Sequence, residues 1–286
     1  MEQAVEVLDG EAERIVKEIG IPPCPAILTK FMQEMRHDEP DFPKIAKLIG
    51  GDVSLSAAML KTVNSPFYGL RTTASSVQQA IALLGLRNVT QLVTGLLLRG
   101  GFPGGSSKLM DEYWESSSAI AQISASLARE LKSVNRDDAY TFALFRDCGM
   151  LAMMGKFKDY KPVFPGAKSA AEGSVTALED ERHTMNHARV GCQMAKTWLL
   201  PEEIFQAVLW HHDYPALQDG SAGIPAASCK YIAVALLAES VYVQETVGVV
   251  SVEWRKGEEF SLATLGMAQT EMDGVVERVK RETGLF

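Results

Sequence analysis

Apolar residues recur every three or four positions along most of this 286-residue chain, and that spacing restricts most of it to helices. The segment 115–132 is typical of the pattern. One face of its predicted helix carries Ile120, Ile123, Leu127 and Leu131. Segments that alternate apolar and polar residues, as half-buried strands do, are nearly absent, and the one candidate is a short hairpin within 248–262. The sequence therefore predicts an all-α fold.

Residues that favour helix ends divide these helices from one another. The predicted helix starts are Asp52, Ser76, Asp137 and Pro201. Gly85 and Gly155 are expected to end helices, because glycine adopts the left-handed backbone of a helix C-terminus without strain. The helix that starts at Asp137 is expected to continue unbroken to Gly155.

The composition is that of an ordinary globular protein, with 47% hydrophobic and 22% charged residues. The formal net charge of −8 argues against nucleic acid or an anionic membrane as the main partner. Four widely spaced cysteines in apolar helical contexts are expected to be free thiols, which fits a reducing cytoplasm. The most apolar run, 231–238, is too short to span a bilayer and is followed by Glu239. We therefore expect a cytoplasmic protein without membrane insertion.

A Gly/Pro/Ser-rich stretch at 99–108 separates two helical blocks and is expected to be a junction between subdomains. The prediction is an N-terminal helical subdomain at 20–104 and a helical core at 105–247. A first helix at 11–19 and a C-terminal extension at 248–286 would cover the edges of these two parts.

The N-terminal block carries an ordered series of motifs. They are Pro22-Pro23 with Pro25, Asp52 with Leu55, Asn64-Ser65-Pro66-Phe67-Tyr68-Gly69, and the segment from Ser76 to Gly85 followed by Leu86-Arg87. In this order the motifs closely resemble the HDOD family, the HD-related output domains of bacterial signalling proteins. The resemblance runs from about Ile21 to about Glu245.

The resemblance implies an N-terminal helical subdomain packed on an HD-like helical core related to metal-dependent phosphohydrolases. Those enzymes need divalent metals to lower the pKa of a bound water and to neutralise phosphoryl charge. Here Ser116 stands where the hydrolases have their first histidine, and Arg146 replaces the histidine of the His-Asp pair, while Asp147 remains. Serine is a poor ligand for such metals and arginine has no lone pair to donate.

Other positions of the hydrolase pattern are kept. His187 matches the next histidine, His211 and His212 match two ligands of the second metal in two-metal relatives, and Glu239 stands where an aspartate is expected. The resemblance therefore implies a degenerate HD cleft in which no metal and no other cofactor is expected. If a metal binds, its ligands would be Asp147, His187, His211 and His212.

Two of these positions have simpler structural explanations. His211 and His212 can pair with the exposed carbonyls of a helix C-terminus. Adjacent helical residues point about 100° apart, so both could reach one ion only if the backbone unwinds there. Asp147, in an apolar segment, is expected to form an ion pair with Arg146 or another cation rather than to bind metal. Neighbours in a helix do not face each other, so the alternative is that Arg146 reaches Glu239 across the cleft.

The HDOD resemblance implies a non-catalytic signalling module that binds another signalling protein. A possible partner surface is the turn Asn64, Ser65, Pro66, Phe67 and Tyr68, although such a turn can also be purely structural. Two alternatives stay open, namely a phosphohydrolase with one residual metal and a cleft that binds a nucleotide second messenger through Arg146 without hydrolysing it. No receiver domain is recognisable before residue 20, so the chain is expected to be a stand-alone member of the family or to receive its input from a separate protein.

Overall fold

A computed structural model describes residues 16–20, 24–35, 37, 39–64, 70, 72–101, 108–132, 134–160, 162 and 174–283. Most of the predicted first helix and the turn residues Ser65, Pro66, Phe67 and Tyr68 lie outside them. Residues Val16–Gly20 form a short π-helical turn. The chain divides into two compact units, one spanning Pro23–Pro103 and the other comprising Met1–Pro22 with Gly104–Phe286.

The smaller unit contains five helices among its described residues. They are α1 (Ala26–Met35), α2 (Phe42–Gly50), α3 (Val53–Val63), α4 (Val77–Leu84) and α5 (Leu86–Gly101). Large side chains that are fully buried in it include Leu28, Phe31, Ile45, Ile49, Met59 and Leu98. The sequence signals at its helix ends are confirmed, because Asp52 and Ser76 accept hydrogen bonds from the backbone N–H of Leu55 and Gln79. Gly85 ends α4 with a φ of 78°.

The larger unit holds the remaining helices of the described chain. They are α6 (Lys108–Leu131), α7 (Arg136–Phe145), α8 (Cys148–Lys156), α9 (Val175–His183), α10 (His187–Thr197), α11 (Glu202–Trp210), α12 (Tyr214–Gln218), α13 (Ala226–Val247), α14 (Val252–Leu265) and α15 (Gln269–Thr283). The all-α prediction is confirmed, since the described residues include no strand. The four cysteines are free, and Cys148 and Cys192 are buried.

The helix predicted to run from Asp137 to Gly155 is in fact two helices. Asn135 caps the first by accepting hydrogen bonds from the backbone N–H groups of Asp137 and Asp138. A turn at Arg146 and Asp147 then separates α7 from α8. The apolar pattern runs through the turn because both helices are buried, so periodicity alone did not reveal the break. Gly155 lies inside α8, which ends one residue later.

The predicted hairpin within 248–262 is wrong. Gly248 ends α13 with a φ of 76°, and Ser251 starts α14 by accepting a hydrogen bond from the N–H of Trp254. The valines that suggested a strand lie in the connection, where Val249 and Val250 are exposed. The buried positions that follow are Trp254, Gly257, Phe260 and Ser261, which is the spacing of one helix face.

Helix α13 is the central element of the larger unit and packs against α6, α7, α11 and α14. By length and composition it could cross a bilayer, but 67% of its apolar window is buried among other helices, which is typical of a core helix. It contains the apolar run 231–238. Its buried Glu239 pairs with Arg146 at the turn between α7 and α8.

A close approach between α8 and α10 brings Asp147 next to His187. A Cβ atom on Gly149 would collide with the carbonyl oxygen of His187 and would lie 2.7 Å from the backbone nitrogen of Gly191. Only glycine allows this spacing, because both obstacles belong to the backbone and cannot rotate away. The position of His187 therefore depends on Gly149.

We predict that Gly149→Ala lowers the free energy of unfolding by about 1–3 kcal/mol, the usual cost of overpacking a core. The matched control is Gly155→Ala in the same helix, because no atom lies within 4 Å of the added Cβ. Alanine there should raise stability by up to about 1 kcal/mol. Urea unfolding of both variants measures this difference, and equal stabilities would contradict the close approach.

Candidate functional site

Four side chains from three places in the sequence converge inside the larger unit. Asp147 lies in the turn between α7 and α8, His187 is the first residue of α10, and His211 and His212 follow α11. One ligand atom from each side chain lies within 4.8 Å of the other three. The sequence-predicted residues Asp147, His187, His211 and His212 thus form one cluster.

The backbone leaves the helix at the two adjacent histidines. Helix α11 ends at Trp210, and His211 and His212 form a turn before α12. Asp213 caps α12 by accepting a hydrogen bond from the N–H of Ala216, so it takes no part in the cluster. Because the backbone unwinds here, the two rings lie 4.1 Å apart, centroid to centroid, and reach the same point.

Each histidine of the cluster has an oxygen acceptor at its Nδ1 atom. His187 Nδ1 lies 2.7 Å from Glu179 Oε2, and His212 Nδ1 lies 2.8 Å from Glu253 Oε2. His211 Nδ1 lies 2.7 Å from the carbonyl oxygen of Val208. These oxygens accept hydrogen bonds, so each Nδ1 carries the proton and each Nε2 of a neutral ring presents a lone pair.

The Nε2 atoms face one another and Asp147 without a donor between them. His187 Nε2 lies 3.6 Å from Asp147 Oδ1, His211 Nε2 lies 3.3 Å from the same oxygen, and His212 Nε2 lies 3.1 Å from His187 Nε2. Atoms bonded to one zinc ion at about 2.0–2.1 Å in a tetrahedron lie about 3.3 Å apart. The donor set therefore fits one divalent metal ion, with the Nδ1 partners acting as the oxygen acceptors that usually orient ligating histidines.

Without a metal, a proton must separate these lone pairs. Burial and the charge of His212 lower the pKa of His211 to about 4, so this ring stays neutral at pH 7. Burial also opposes protonation of His212, but the hydrogen bond and charge of Glu253 together with the charges of Asp147 and Glu239 raise its pKa. His212 is thus the ring that takes the proton, and its Nε2–H donates to His187 Nε2.

The surroundings carry more negative than positive charge. The carboxylates that contact the histidines or Arg146 are Asp147, Glu179, Glu239 and Glu253. Two cations, Arg146 and Lys256, contact them, which leaves two negative charges when the histidines are neutral. Burial and then the charges of Asp147 and Glu253 raise the pKa of Glu239, even though Arg146 lowers it. A divalent cation would cancel this excess.

The Arg146 guanidinium is held by three groups. Its Nε donates to Asp147 Oδ2 at 3.0 Å, its Nη2 to Glu239 Oε2 at 2.8 Å, and its Nη1 to the carbonyl oxygen of Ala235 at 3.2 Å. The expected contact with Glu239 is present. The other expected ion pair, between Asp147 and Arg146, is present as well, because the two residues form a turn between helices and the turn lets neighbouring side chains meet.

The ion pair with Arg146 uses Oδ2 of Asp147, so Oδ1 does not contact the guanidinium. Burial raises the pKa of Asp147, but the charge of Arg146 holds it well below its usual range. Asp147 is therefore ionised, with Oδ2 on the guanidinium and Oδ1 facing the histidines. The ion-pair and metal-ligand interpretations of Asp147 are thus compatible.

The remaining predicted residues lie apart from the four ligand atoms. The hydroxyl of Ser116 donates to the backbone carbonyls of Glu112 and Tyr113 in its own helix. Asn64 forms two hydrogen bonds with the backbone of Ala74, which gives it a structural role at the end of α3. Whether the turn that it opens contacts a partner stays a prediction.

Sequence reasoning missed Glu179 and Glu253. Glu179 precedes His187 by eight residues, and Glu253 follows His212 by 41 residues in the segment expected to be a hairpin. Each lies among charged residues of the kind found on protein surfaces, so the sequence pattern does not distinguish it from a solvent-exposed glutamate. Once the hairpin is recognised as a helix, its buried face at Trp254 and Gly257 places Glu253 close to the core.

Comparison with known proteins decides the family. The HDOD domain model matches residues 21–214. This chain belongs to the HDOD family. The match ends earlier than the resemblance to about Glu245 that the motifs suggested, so Glu239 and Glu253 lie beyond it.

Similar proteins agree with this assignment at the level of the fold. An HDOD domain protein of unknown function from Geobacter sulfurreducens has a TM-score of 0.69 at 20% identity, over 98% of both chains. A protein of Shewanella amazonensis SB2B, provisionally named a phosphohydrolase, has a TM-score of 0.69 at 15% identity over 93% of both chains. A protein of Marinobacter aquaeolei VT8, provisionally named a signal transduction protein, has a TM-score of 0.68 at 18% identity, over 94% of this chain and 59% of its own.

A curated relative gives less information. An uncharacterized protein of Treponema pallidum (strain Nichols) is 23% identical over 210 residues, which is 68% of this chain. The aligned region spans 38% of the length of that relative.

We predict that Arg146→Ala lowers the free energy of unfolding by about 3–5 kcal/mol, because it leaves Asp147 and Glu239 as unpaired buried charges. Arg146→Lys should recover only part of this loss, since one ammonium cannot replace the three-sided guanidinium contact. The control is Arg255→Ala, which removes an exposed charge from α14. Chemical denaturation compares the three variants, and a loss for Arg146→Ala as small as that of Arg255→Ala would contradict a structural role for the guanidinium.

Proposed function

We propose that this HDOD protein is a non-catalytic regulatory module of a bacterial signalling system that acts in the cytoplasm by binding another protein. Its membership of the HDOD family and its structural similarity to a protein provisionally named for signal transduction support this role. No nucleic acid and no membrane insertion are part of the proposal, in keeping with the net charge of −8 and the buried position of α13.

The proposed lack of catalytic activity is supported mainly by the number of protein ligands in the cluster. Catalytic metal sites keep one position open for water or substrate, whereas structural sites fill four positions with protein ligands. Here Asp147, His187, His211 and His212 supply all four. His187 is fully buried and the side chain of His211 is 6% exposed, so both ligands are shielded from a phosphoester in solvent. Arg146, in place of a ligating histidine, keeps a positive charge where a second metal would bind.

A nucleotide-binding role through Arg146 has little support from the geometry. Three guanidinium nitrogens already donate to protein oxygens, and the side chain is 6% exposed. Binding a nucleotide phosphate would require Arg146 to leave two buried carboxylates unpaired, which would cost several kcal/mol.

A metal-dependent phosphohydrolase with one metal is the second candidate, and the convergent lone pairs of the cluster favour it. A divalent metal held by Asp147, His187, His211 and His212 would supply Lewis acidity toward a phosphoryl oxygen and lower the pKa of a coordinated water. One protein ligand would have to move aside to make room for that water. His212 has the most exposed side chain of the three histidines, at 12%, and is the ligand that could do so.

Metal analysis combined with activity assays distinguishes these two candidates. We predict that the purified chain binds one divalent ion and that its hydrolysis of nucleotides and phosphodiesters does not exceed that of His187→Ala. The assays should include Zn²⁺, Mn²⁺, Fe²⁺ and Mg²⁺, because affinity and reactivity differ among them. Turnover that disappears in His187→Ala would contradict the regulatory proposal and support the hydrolase.

The proposed partner is tested by affinity capture from the source cells. We expect the intact chain to retain a signalling protein that a Phe67→Ala, Tyr68→Ala double variant fails to retain. Gly155→Ala serves as the folded control. A partner retained equally by all three would contradict the role of the Asn64–Tyr68 turn, and capture of no protein at all would contradict the binding proposal.

A further inference from the structure

The C-terminal helix α14 contacts the histidine cluster through Glu253. Its Oε2 accepts from Nδ1 of His212 at 2.8 Å and from the hydroxyl of Tyr214 at 3.0 Å. Its Oε1 accepts from Lys256 at 2.7 Å. Among the three Nδ1 acceptors, Glu253 lies farthest from its histidine in the sequence, and it belongs to a segment beyond the family match.

Other contacts hold α14 beside the histidine cluster. Ser251, at its start, donates to Glu239 Oε1 at 2.9 Å, so the helix also contacts the carboxylate that pairs with Arg146. Gly257 lies one turn after Glu253 on the same face, and a Cβ there would lie 2.6 Å from the Tyr214 ring and 2.5 Å from Leu236. Ser261 donates to the carbonyl oxygen of Ala233 in α13 at 2.8 Å. Together these contacts place Glu253 within hydrogen-bond distance of His212.

We propose that α14 completes the metal site, with Glu253 as the residue that positions His212, so that metal binding and docking of α14 are coupled. The proposal rests on the metal-binding cluster described above, whether or not the protein is an enzyme. It concerns a residue and a helix that lie outside the ligand set.

The coupling follows from the two tautomers of His212. With Glu253 in place, one proton stays on Nδ1, so a metal that displaces the second proton meets an Nε2 lone pair facing the other ligands. If α14 moves away, Nδ1 loses its acceptor, the ring is free to rotate, and the proton can move to Nε2, which removes one of four donors. Binding free energies are reciprocal, so a metal that needs His212 in this tautomer must in turn favour the docked position of α14.

The first test measures binding of Co²⁺ to the full chain, because its visible absorption reports the number and arrangement of nitrogen ligands. We expect Glu253→Ala to weaken Co²⁺ binding by about 10- to 100-fold, the usual effect of removing an acceptor behind a ligating histidine. Glu253→Gln should lose less, because its amide oxygen can still accept from Nδ1. The matched control is Glu259→Ala, which removes an exposed carboxylate from the same helix and should leave affinity and spectrum unchanged.

The second test follows amide hydrogen exchange of α14 with and without Zn²⁺. In the wild-type chain, zinc should slow exchange in 252–265, and in Glu253→Ala this added protection should be lost. Thermal melting of the metal-free variants confirms that they are folded before these comparisons are made.

The possible outcomes distinguish failure of the metal site from failure of its coupling to α14. If Glu253→Ala binds Co²⁺ as tightly as the wild-type chain with the same spectrum, the coupling is wrong but the metal site stands. If the folded wild-type chain binds neither Co²⁺ nor Zn²⁺, the metal site itself is wrong and the coupling fails with it. Weakened binding in Glu253→Ala, rescued in part by Glu253→Gln, supports both.

Discussion

Three hydrogen bonds from histidine Nδ1 atoms determine what the helical core of this protein can hold. Glu179, Glu253 and the carbonyl of Val208 each accept one of them, so the Nε2 lone pairs of three histidines point at one another and at Asp147. Four acceptors this close repel unless a cation lies among them. The rest of the larger unit, from the close approach at Gly149 to the docking of α14, maintains this arrangement.

The buried charges at the turn between α7 and α8 are balanced within the protein. Arg146 supplies a permanent positive charge to Asp147 and Glu239. The guanidinium uses only one oxygen of Asp147, so the other remains available to the histidine cluster. One fixed cation and one exchangeable cation can therefore share the same carboxylate. If a metal binds here, protein side chains can fill all four of its ligand positions, as they do in structural zinc sites.

Local patterns predicted the helices well and the site only in part. Capping residues such as Asp52 and Ser76 act within a few residues of themselves, and their helix starts are confirmed. The break at Arg146–Asp147 was missed because both flanking helices are buried, so the apolar pattern continues through the turn. Helix α14 was missed because the valines in the connection before it resemble a strand. The family resemblance supplied the four candidate ligands. Their Nδ1 partners could not be found this way, since Glu179 and Glu253 become special only when the fold brings them to a histidine.

The central claim is that the Nδ1 hydrogen bonds of three histidines direct their Nε2 atoms, together with one oxygen of Asp147, toward a single point where a metal can bind. ¹⁵N NMR of the histidine rings tests it most directly. In the metal-free protein at pH 7, we predict that Nδ1 of His187 and of His211 carries a proton, and that His212 carries protons on both nitrogens. After Zn²⁺ is added, all three rings should keep the Nδ1 proton and show metal-bound Nε2 signals. A proton on Nε2 of His187 or His211, or Nε2 signals that zinc leaves unchanged, would contradict the account.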